Sequence, residues 1–488
     1  MLRVSSLSEE ASALLHEDLY IDGHWVHGDG EPVAVHNPSS GELLGSVASA
    51  SGPQVELAIA AAKRAFREWS RLLAKERAAV MRRWYELIVE HADELGRIVT
   101  AEQGKPLAEA RGEVIYGAGF VEWFAEEAKR AYGDVVPTNV QGRRIVVIKQ
   151  PIGVCAAITP WNFPSAMILR KAGPALAAGC TMVLKPASET PLSALALAQL
   201  AEEAGIPAGV FNVVHGEPVE VGAVLTSHPD VRALTFTGST EVGKLLAAQC
   251  AGTVKRVLLE LGGNAPLVVF DDADIELAVA GAMASKFRNT GQTCVCANRI
   301  LVQSGIHEAF VQLLTEATAA MAVGDGFEPD VAQGPLITEE AVEKVERHVA
   351  DALAHGAHIE LGGRRHARGG TFYEPTVLTG AGPEMLLAQE ETFGPVAAVF
   401  QFETEADAVA LANGTDSGLS AYFFTRDLGR AWRVGEDLEF GVVSINSGAF
   451  SSEAAPFGGI KESGLGREGS RHGLDDYLEL KYLCFEGI

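Results

Sequence analysis

The chain has 488 residues, 47% of them hydrophobic, and a formal charge of −25 at pH 7. That length fits two or three folding units with large cores. The acidic balance argues against nucleic acid as a partner, because phosphate neutralisation needs clustered Lys and Arg and no such run occurs. An anionic small ligand would have to be held by a few local arginines, whose fields dominate distant acids once salt screens beyond roughly 8 Å. No apolar run reaches the roughly 20 residues of a membrane span, and the opening "MLRVSSLSEEASALLHEDLY" carries acids where a secretory signal would be apolar. A cytoplasmic address without a membrane partner is expected.

From Ser51, "SGPQVELAIAAAKRAFREW" predicts a helix, with Ser51 and Gln54 spaced as a capping box and Val55, Ile59, Ala62, Phe66 and Trp69 on one face. Between about residues 150 and 270, short β-rich runs such as "IGVCAAITP", "TMVLKP", "VFNVVHG" and "VRALTFTGS" alternate with helical ones. That pattern predicts parallel strands joined by helices. A second α/β unit begins after "FDDADIELAVAGAMASKFRNTG". The strand-like pieces "RRIVVIKQP" and "LELKYLCFEGI" lie outside both patterns and suit an arm that pairs with another subunit.

The stretch "NTGQTCVCANR" holds Cys294 and Cys296, one residue apart. Zinc thiolates are usually spaced two to four residues apart and need further ligands, and neither a second cysteine pair nor a nearby histidine is present, so no metal site is expected. His355, His358 and His366 lie in a stretch that reads as a solvated loop. Cys155, Cys180, Cys250 and Cys484 are scattered and read as reduced, buried thiols. Cys294 follows a polar, glycine-containing loop at a helix end, which suits an accessible nucleophile better than a core residue.

A nucleophile needs a base and an oxyanion donor. Glu260, inside the apolar "VLLELGG", is the candidate base, since burial would raise its pKa; a solvent-facing sheet end is the equally weighted alternative. Asn162 is the candidate donor, in "ITPWNFP", where Thr159, Pro160 and Trp161 lead a rigid turn after a strand. An Asx turn is the plainer account. For a cofactor, no G-x-G-x-x-G follows a strand. Instead "FTGSTEVG" opens a helix with Gly238, Ser239 and Gly243, whose free N–H groups and hydroxyl could hold one phosphate. Lys185, ending "TMVLKP", offers an ammonium at the same sheet edge, within reach of ribose hydroxyls.

The motifs "ITPWNFP", "KPASETP", "FTGSTEVG", "LELGGNAP", "GQTC", "EETFGP" and "PFGGIKESGLGREG" stand in the order and spacing of the aldehyde dehydrogenase superfamily. The chain resembles that superfamily over nearly its whole length, and its bacterial succinate-semialdehyde dehydrogenases most through "KFRNTGQTCVCANR" and "GLGREGSRHGLDDYLELKYLC". The resemblance implies an α/β fold with a Rossmann-like cofactor domain (1–129 and 152–262), an α/β catalytic domain (263–469) and a small β oligomerisation arm (130–151 and 470–488). It implies a homodimer or homotetramer. It makes Cys294 the nucleophile, Asn162 with the Cys294 N–H the oxyanion site, and Glu260 the base that activates water.

By the same resemblance Glu391 and Phe393 position the nicotinamide ribose and ring. Ser188 stands where a glutamate would repel a 2′-phosphate, so NADP is expected to be preferred, or both NADP and NAD used, with Lys185 as counter-charge and the neighbouring Glu189 opposing it. Arg170, Arg288 and Ser451 match a site for the substrate's distal carboxylate, with Ser452 one residue away from the serine assignment. Without the family, Arg170 reads as a solvated helix residue and Arg288 as a charge at a helix C-terminus. The expected reaction is oxidation of succinate semialdehyde. Glutarate semialdehyde, a broader aldehyde range, acyl transfer to coenzyme A, a cofactor-independent thiol esterase and a nucleotide-binding structural protein without turnover are the alternatives. Cys296 reads as packing beside the nucleophile, or as its partner in a reversible oxidation.

Overall fold

The computed structural model describes residues 7–487; the first six residues of the opening segment and Ile488, the last residue of the expected arm, lie outside them. The predicted helix forms as α1 (Gly52–Trp69) with its capping box, and buries Val55, Ile59, Ala62 and Trp69, while Phe66 is only half-buried. Helices α2 (Leu107–Glu127) and α3 (Ala166–Ala178) pack against each other, and α4 (Thr240–Ala251) and α5 (Ile275–Lys286) follow.

The first sheet is built on five parallel strands, β1 (Val154–Ile158), β2 (Thr181–Lys185), β3 (Phe211–Val213), β4 (Val231–Thr237) and β5 (Arg256–Glu260). Their spatial order is β3-β2-β1-β4-β5, with the hairpin Leu19–Ile21 and His24–Val26 beyond β3 and the short strand Gly464–Leu465 beyond β5. Helices cover both faces, so β2 is buried at every position and its residues need not alternate in polarity.

The second sheet contains β6 (Ala265–Val269), β7 (Ala297–Gln303), β8 (Thr376–Thr379), β9 (Val396–Phe402), β10 (Ser420–Phe424) and β11 (Val442–Ile445), all parallel, in the order β8-β9-β7-β6-β10-β11. The antiparallel strand His358–Leu361 flanks β8. His358 therefore begins an edge strand and His355 caps the helix Glu339–Ala354, where the sequence suggested a loop. The two arm segments pair with each other: Arg143–Pro151 runs antiparallel to Leu478–Glu486, and Asp134–Val136 adds a third strand. Cys484 lies exposed on this arm, unlike the buried Cys155, Cys180 and Cys250, because both faces of the three-stranded sheet are incompletely covered.

Candidate active site

The chain leaves β1 toward β2 and β3 on one side and later returns to β4 and β5 on the other. The loops after β1 and β4 thus diverge and open a crevice at the carboxyl edge of the sheet, the usual ligand position in such topologies. The crevice is a cavity of about 370 Å³ lined by Trp161, Asn162, Gly238, Glu260, Cys294 and Phe393 among others. All three candidate catalytic residues share it.

Cys294 is brought there by a constrained segment. After α5, Asn289 and Thr290 adopt left-handed backbone conformations (φ 51° and 59°), uncommon for non-glycine residues and costly for a β-branched one. Partners from elsewhere hold them: Glu109 accepts the Asn289 N–H (2.9 Å), and the Thr290 hydroxyl donates to the Gly334 carbonyl (3.1 Å). Cys294 then sits in a turn closed by the Cys296 N–H on the Thr293 carbonyl (2.9 Å). A Cβ on Gly263 would lie 2.3 Å from the Cys294 carbonyl oxygen, so the glycine of "LGGN" allows this approach. Burial, with the carboxylates of Glu391 and Glu260 nearby, pushes the Cys294 thiol above its ordinary value. The resting side chain is a thiol that needs a base.

Glu260, at the end of β5, is buried, so the solvent-facing alternative is excluded. Its Oε2 has no hydrogen-bond partner. Burial and the neighbouring Glu468 carboxylate raise its pKa well above the usual range, against the pull of Arg170, Lys171 and Arg467. Glu468 itself is held by two cations, Lys171 Nζ at 2.7 Å and Arg170 Nη2 at 2.8 Å. The Asn162 amide donates one N–H to the Gln292 carbonyl (2.9 Å). A primary amide has a second N–H, and that one can face an oxyanion in the cavity.

The cofactor candidates line the same sheet edge. Thr159 and Lys185 are joined by the Thr159 N–H on the Lys185 carbonyl (3.1 Å), and the Thr159 and Thr237 hydroxyls are buried without partners. Pro160 and Trp161 line the cavity, and Trp161 meets Phe393 edge to face at 5.6 Å. Phe393 has φ 55°, a strained conformation that fixes its ring beside the cavity. Glu391 accepts the Gly263 N–H (3.2 Å), and burial pushes its carboxyl up to about 7. Lys185, with burial bringing it down to about 8 against Glu189 and Glu217, and Ser188 lie farther along the edge, where β2 ends.

One expectation fails in detail. Gly238 and Gly243 do not offer free N–H groups: Gly238 donates to the Glu260 carbonyl (3.1 Å) and Gly243 to the Ser239 carbonyl within α4 (3.0 Å). Gly243 instead lets α4 approach Leu261, which a Cβ would meet at 2.3 Å. Ser239 is the helix cap, its hydroxyl accepting the Val242 N–H (3.3 Å).

Arg170 is buried, not solvated, and packs over the Phe457 ring at 4.2 Å, its Nε without an acceptor. Arg288 is half-buried over Phe163, a cavity-lining ring, at 4.8 Å. Ser451 is exposed, next to Phe450, which stacks on Phe457. Phe450 and Phe457 thus link Ser451 to Arg170, and no hydrogen bond joins Arg170, Arg288 and Ser451 among the described residues. Cys296 is buried, and its Sγ is directed to the Lys286 carbonyl (3.5 Å). Among the described residues no group of three or more metal-binding side chains forms, and no helix is long and apolar enough to cross a membrane.

Sequence reasoning missed Lys171, Glu468, Lys105, Glu113 and Gln292. The available signal was a lysine inside the apolar helical run "AMILRKAGPALAA", where burial demands a partner.

A sequence model of the Aldehyde dehydrogenase family matches residues 25–483. The chain belongs to this family. The aldehyde dehydrogenase is 59% identical to a glutarate-semialdehyde dehydrogenase of Pseudomonas aeruginosa over 476 residues, 97% of this chain and 99% of that protein. It is 58% identical to the NADP(+) succinate-semialdehyde dehydrogenase of Escherichia coli, over 97% of this chain and 98% of the relative. The crystal structure of an NADP-dependent enzyme from Escherichia coli superposes with a TM-score of 0.97 at 58% identity, covering 97% of this chain and 99% of the other. The enzyme is an oxidoreductase with the fold of that family.

Proposed function

We infer that the enzyme oxidises succinate semialdehyde to succinate, with NADP preferred and NAD also accepted. The observation that carries the reading is the convergence of Cys294, Glu260 and Asn162 on one cavity, with the Arg288 guanidinium behind its Phe163 wall. Cys294 gives its thiol proton to solvent water, a transfer that Glu260 assists, and its Sγ attacks the aldehyde carbon, giving a thiohemiacetal oxyanion. Asn162 Nδ2 and the Cys294 N–H receive that oxyanion. A nicotinamide held along this sheet edge by Thr159, Trp161, Lys185 and Phe393 would supply the hydride acceptor for oxidation to the Cys294 thioester. Glu260, as the carboxylate, then deprotonates a water that attacks the thioester carbon; the tetrahedral intermediate expels the Cys294 thiolate, to which Glu260 returns the proton as the acid is released.

The residues present fit such a cofactor: the orphaned Thr159 and Thr237 hydroxyls are buried polar atoms awaiting partners, and Ser188, where β2 ends, carries no charge to repel a 2′-phosphate. Arg170, Arg288 and Ser451 hold the distal carboxylate. Glutarate semialdehyde is the second reading, favoured by the Pseudomonas aeruginosa relative; one methylene is worth only about 1–3 kcal/mol of discrimination. The division into a cofactor domain, a catalytic domain and an arm, a cytoplasmic location and assembly as a homodimer or homotetramer complete the reading. The arm's exposed Leu480, Tyr482 and Val135 support its pairing with another subunit.

The test is NADPH and NADH formation with succinate semialdehyde, glutarate semialdehyde and an uncharged aldehyde of similar length, in wild type and Arg288→Ala. The reading predicts roughly tenfold or greater preference for the charged substrates, lost in the variant, and more NADPH than NADH. Equal rates on the uncharged aldehyde, unchanged by Arg288→Ala, would remove the semialdehyde assignment.

A further inference from the structure

The turn that carries Asn162 is gripped by an ion pair outside the chemistry. Lys105 follows the left-handed Gly104 that ends the helix Ala92–Gln103, and its side chain is fully buried. Its Nζ donates to Glu113 Oε2 (2.6 Å) and to the Asn162 carbonyl (2.7 Å), and sits 3.9 Å from the centre of the Phe163 ring. Glu113, on α2, spends its other oxygen on the Ser165 and Ala166 N–H groups at the start of α3 (2.9 and 3.2 Å).

The nucleophile loop is attached to the same point. Asn289 Nδ2 donates to the Asn162 carbonyl (2.9 Å), and the Asn162 amide donates to the Gln292 carbonyl, two residues before Cys294. Glu109, four residues before Glu113 on the same face of α2, accepts the Asn289 N–H. Both acceptor sites of the Asn162 carbonyl are therefore filled, one from each side of the active site.

Burying an ammonium and a carboxylate together is expensive, and a hydrophobic pair of the same size could fill the space. A hydrophobic pair would not direct a donor at the Asn162 carbonyl and an acceptor at the Ser165 and Ala166 N–H groups. We propose that Lys105 and Glu113 are positioning residues for the oxyanion site, fixing where the Asn162 amide meets the developing charge. The proposal rests on the reading of Asn162 as oxyanion donor.

The experiment is a double-mutant cycle on single-turnover NADPH formation at saturating aldehyde and NADP. It compares wild type, Lys105→Met/Glu113→Gln, Asn162→Ala and the triple variant, with Glu113→Asp alone as a milder change that keeps the carboxylate. Thermal midpoints and aldehyde KM are measured alongside. Removing both charges together avoids leaving one buried and unpaired.

The expected result is a loss of roughly ten- to hundredfold in the single-turnover rate of the charge-free pair, as for a donor displaced by a fraction of an ångström. The aldehyde KM stays within about twofold, and in the Asn162→Ala background the same changes cost less than about twofold. Glu113→Asp shows a smaller loss with the same dependence on Asn162. Equal fold losses in both backgrounds, or effects confined to the thermal midpoint or KM, would overturn the proposal. Unchanged turnover in Asn162→Ala alone would overturn the oxyanion reading and the proposal with it.

Discussion

Glu260 serves as a base only as a carboxylate, yet the Glu468 carboxylate and its own burial favour the protonated form. Its fraction ionised rises with pH, so kcat is expected to climb through a pKa well above the ordinary carboxylate value and then level. Glu260→Gln should lose that limb and about 10²- to 10⁴-fold in kcat, read from pH–rate profiles of the two proteins. The stability sign is opposite. A carboxyl whose folded pKa exceeds its unfolded value binds more protons when folded, so its contribution is full at low pH. It is lost as pH rises from the unfolded value of 4.5 to the raised folded one. Thermal midpoints should therefore fall less with alkaline pH in Glu260→Gln than in wild type. A pH-independent kcat in wild type would contradict the assignment of the base.

Among the elements, the arm carries the clearest exposed chemistry. Leu478–Glu486 pairs with Arg143–Pro151 over its full length, and leaves Leu480 69% and Tyr482 60% exposed. Leu428, Trp432 and Ile445 are exposed around the edge strand β11 of the second sheet. On the proposed assembly through the arm, the charged replacements Leu480→Glu and Tyr482→Glu should lower the sedimentation coefficient to that of a smaller species. No change in the size of the wild-type particle would remove the arm from the interface. The arm's strands were visible in the sequence because they are β-rich runs falling outside both alternating α/β patterns. Only the family resemblance joined them in one arm, since their pairing brings together segments more than 300 residues apart.

At the scale of the whole molecule, the alternation of strands and helices pointed to the parallel strands of the first sheet and to a second α/β unit, since periodicity is a local signal. The placement of Cys294, Glu260 and Asn162 around one cavity came from motif order and the family resemblance, and the fold agrees with it. What stayed hidden depends on contacts across the sequence. Arg170 looked solvated because its partner Glu468 lies far along the chain, and Gly238 and Gly243 looked like phosphate ligands because their use by the Glu260 and Ser239 carbonyls is a tertiary fact. Lys105 and Glu113 gave no signal beyond ordinary helix-flanking charges, although their buried pair reaches the Asn162 turn.

The most direct test is a rapid-quench experiment on Glu260→Gln with succinate semialdehyde and NADP. A burst approaching one NADPH per subunit is expected, with a succinyl thioester on the peptide containing Cys294 detected by mass spectrometry, because hydride transfer proceeds while hydrolysis stalls. A burst without acylated Cys294, or steady turnover at the wild-type rate, would contradict the account.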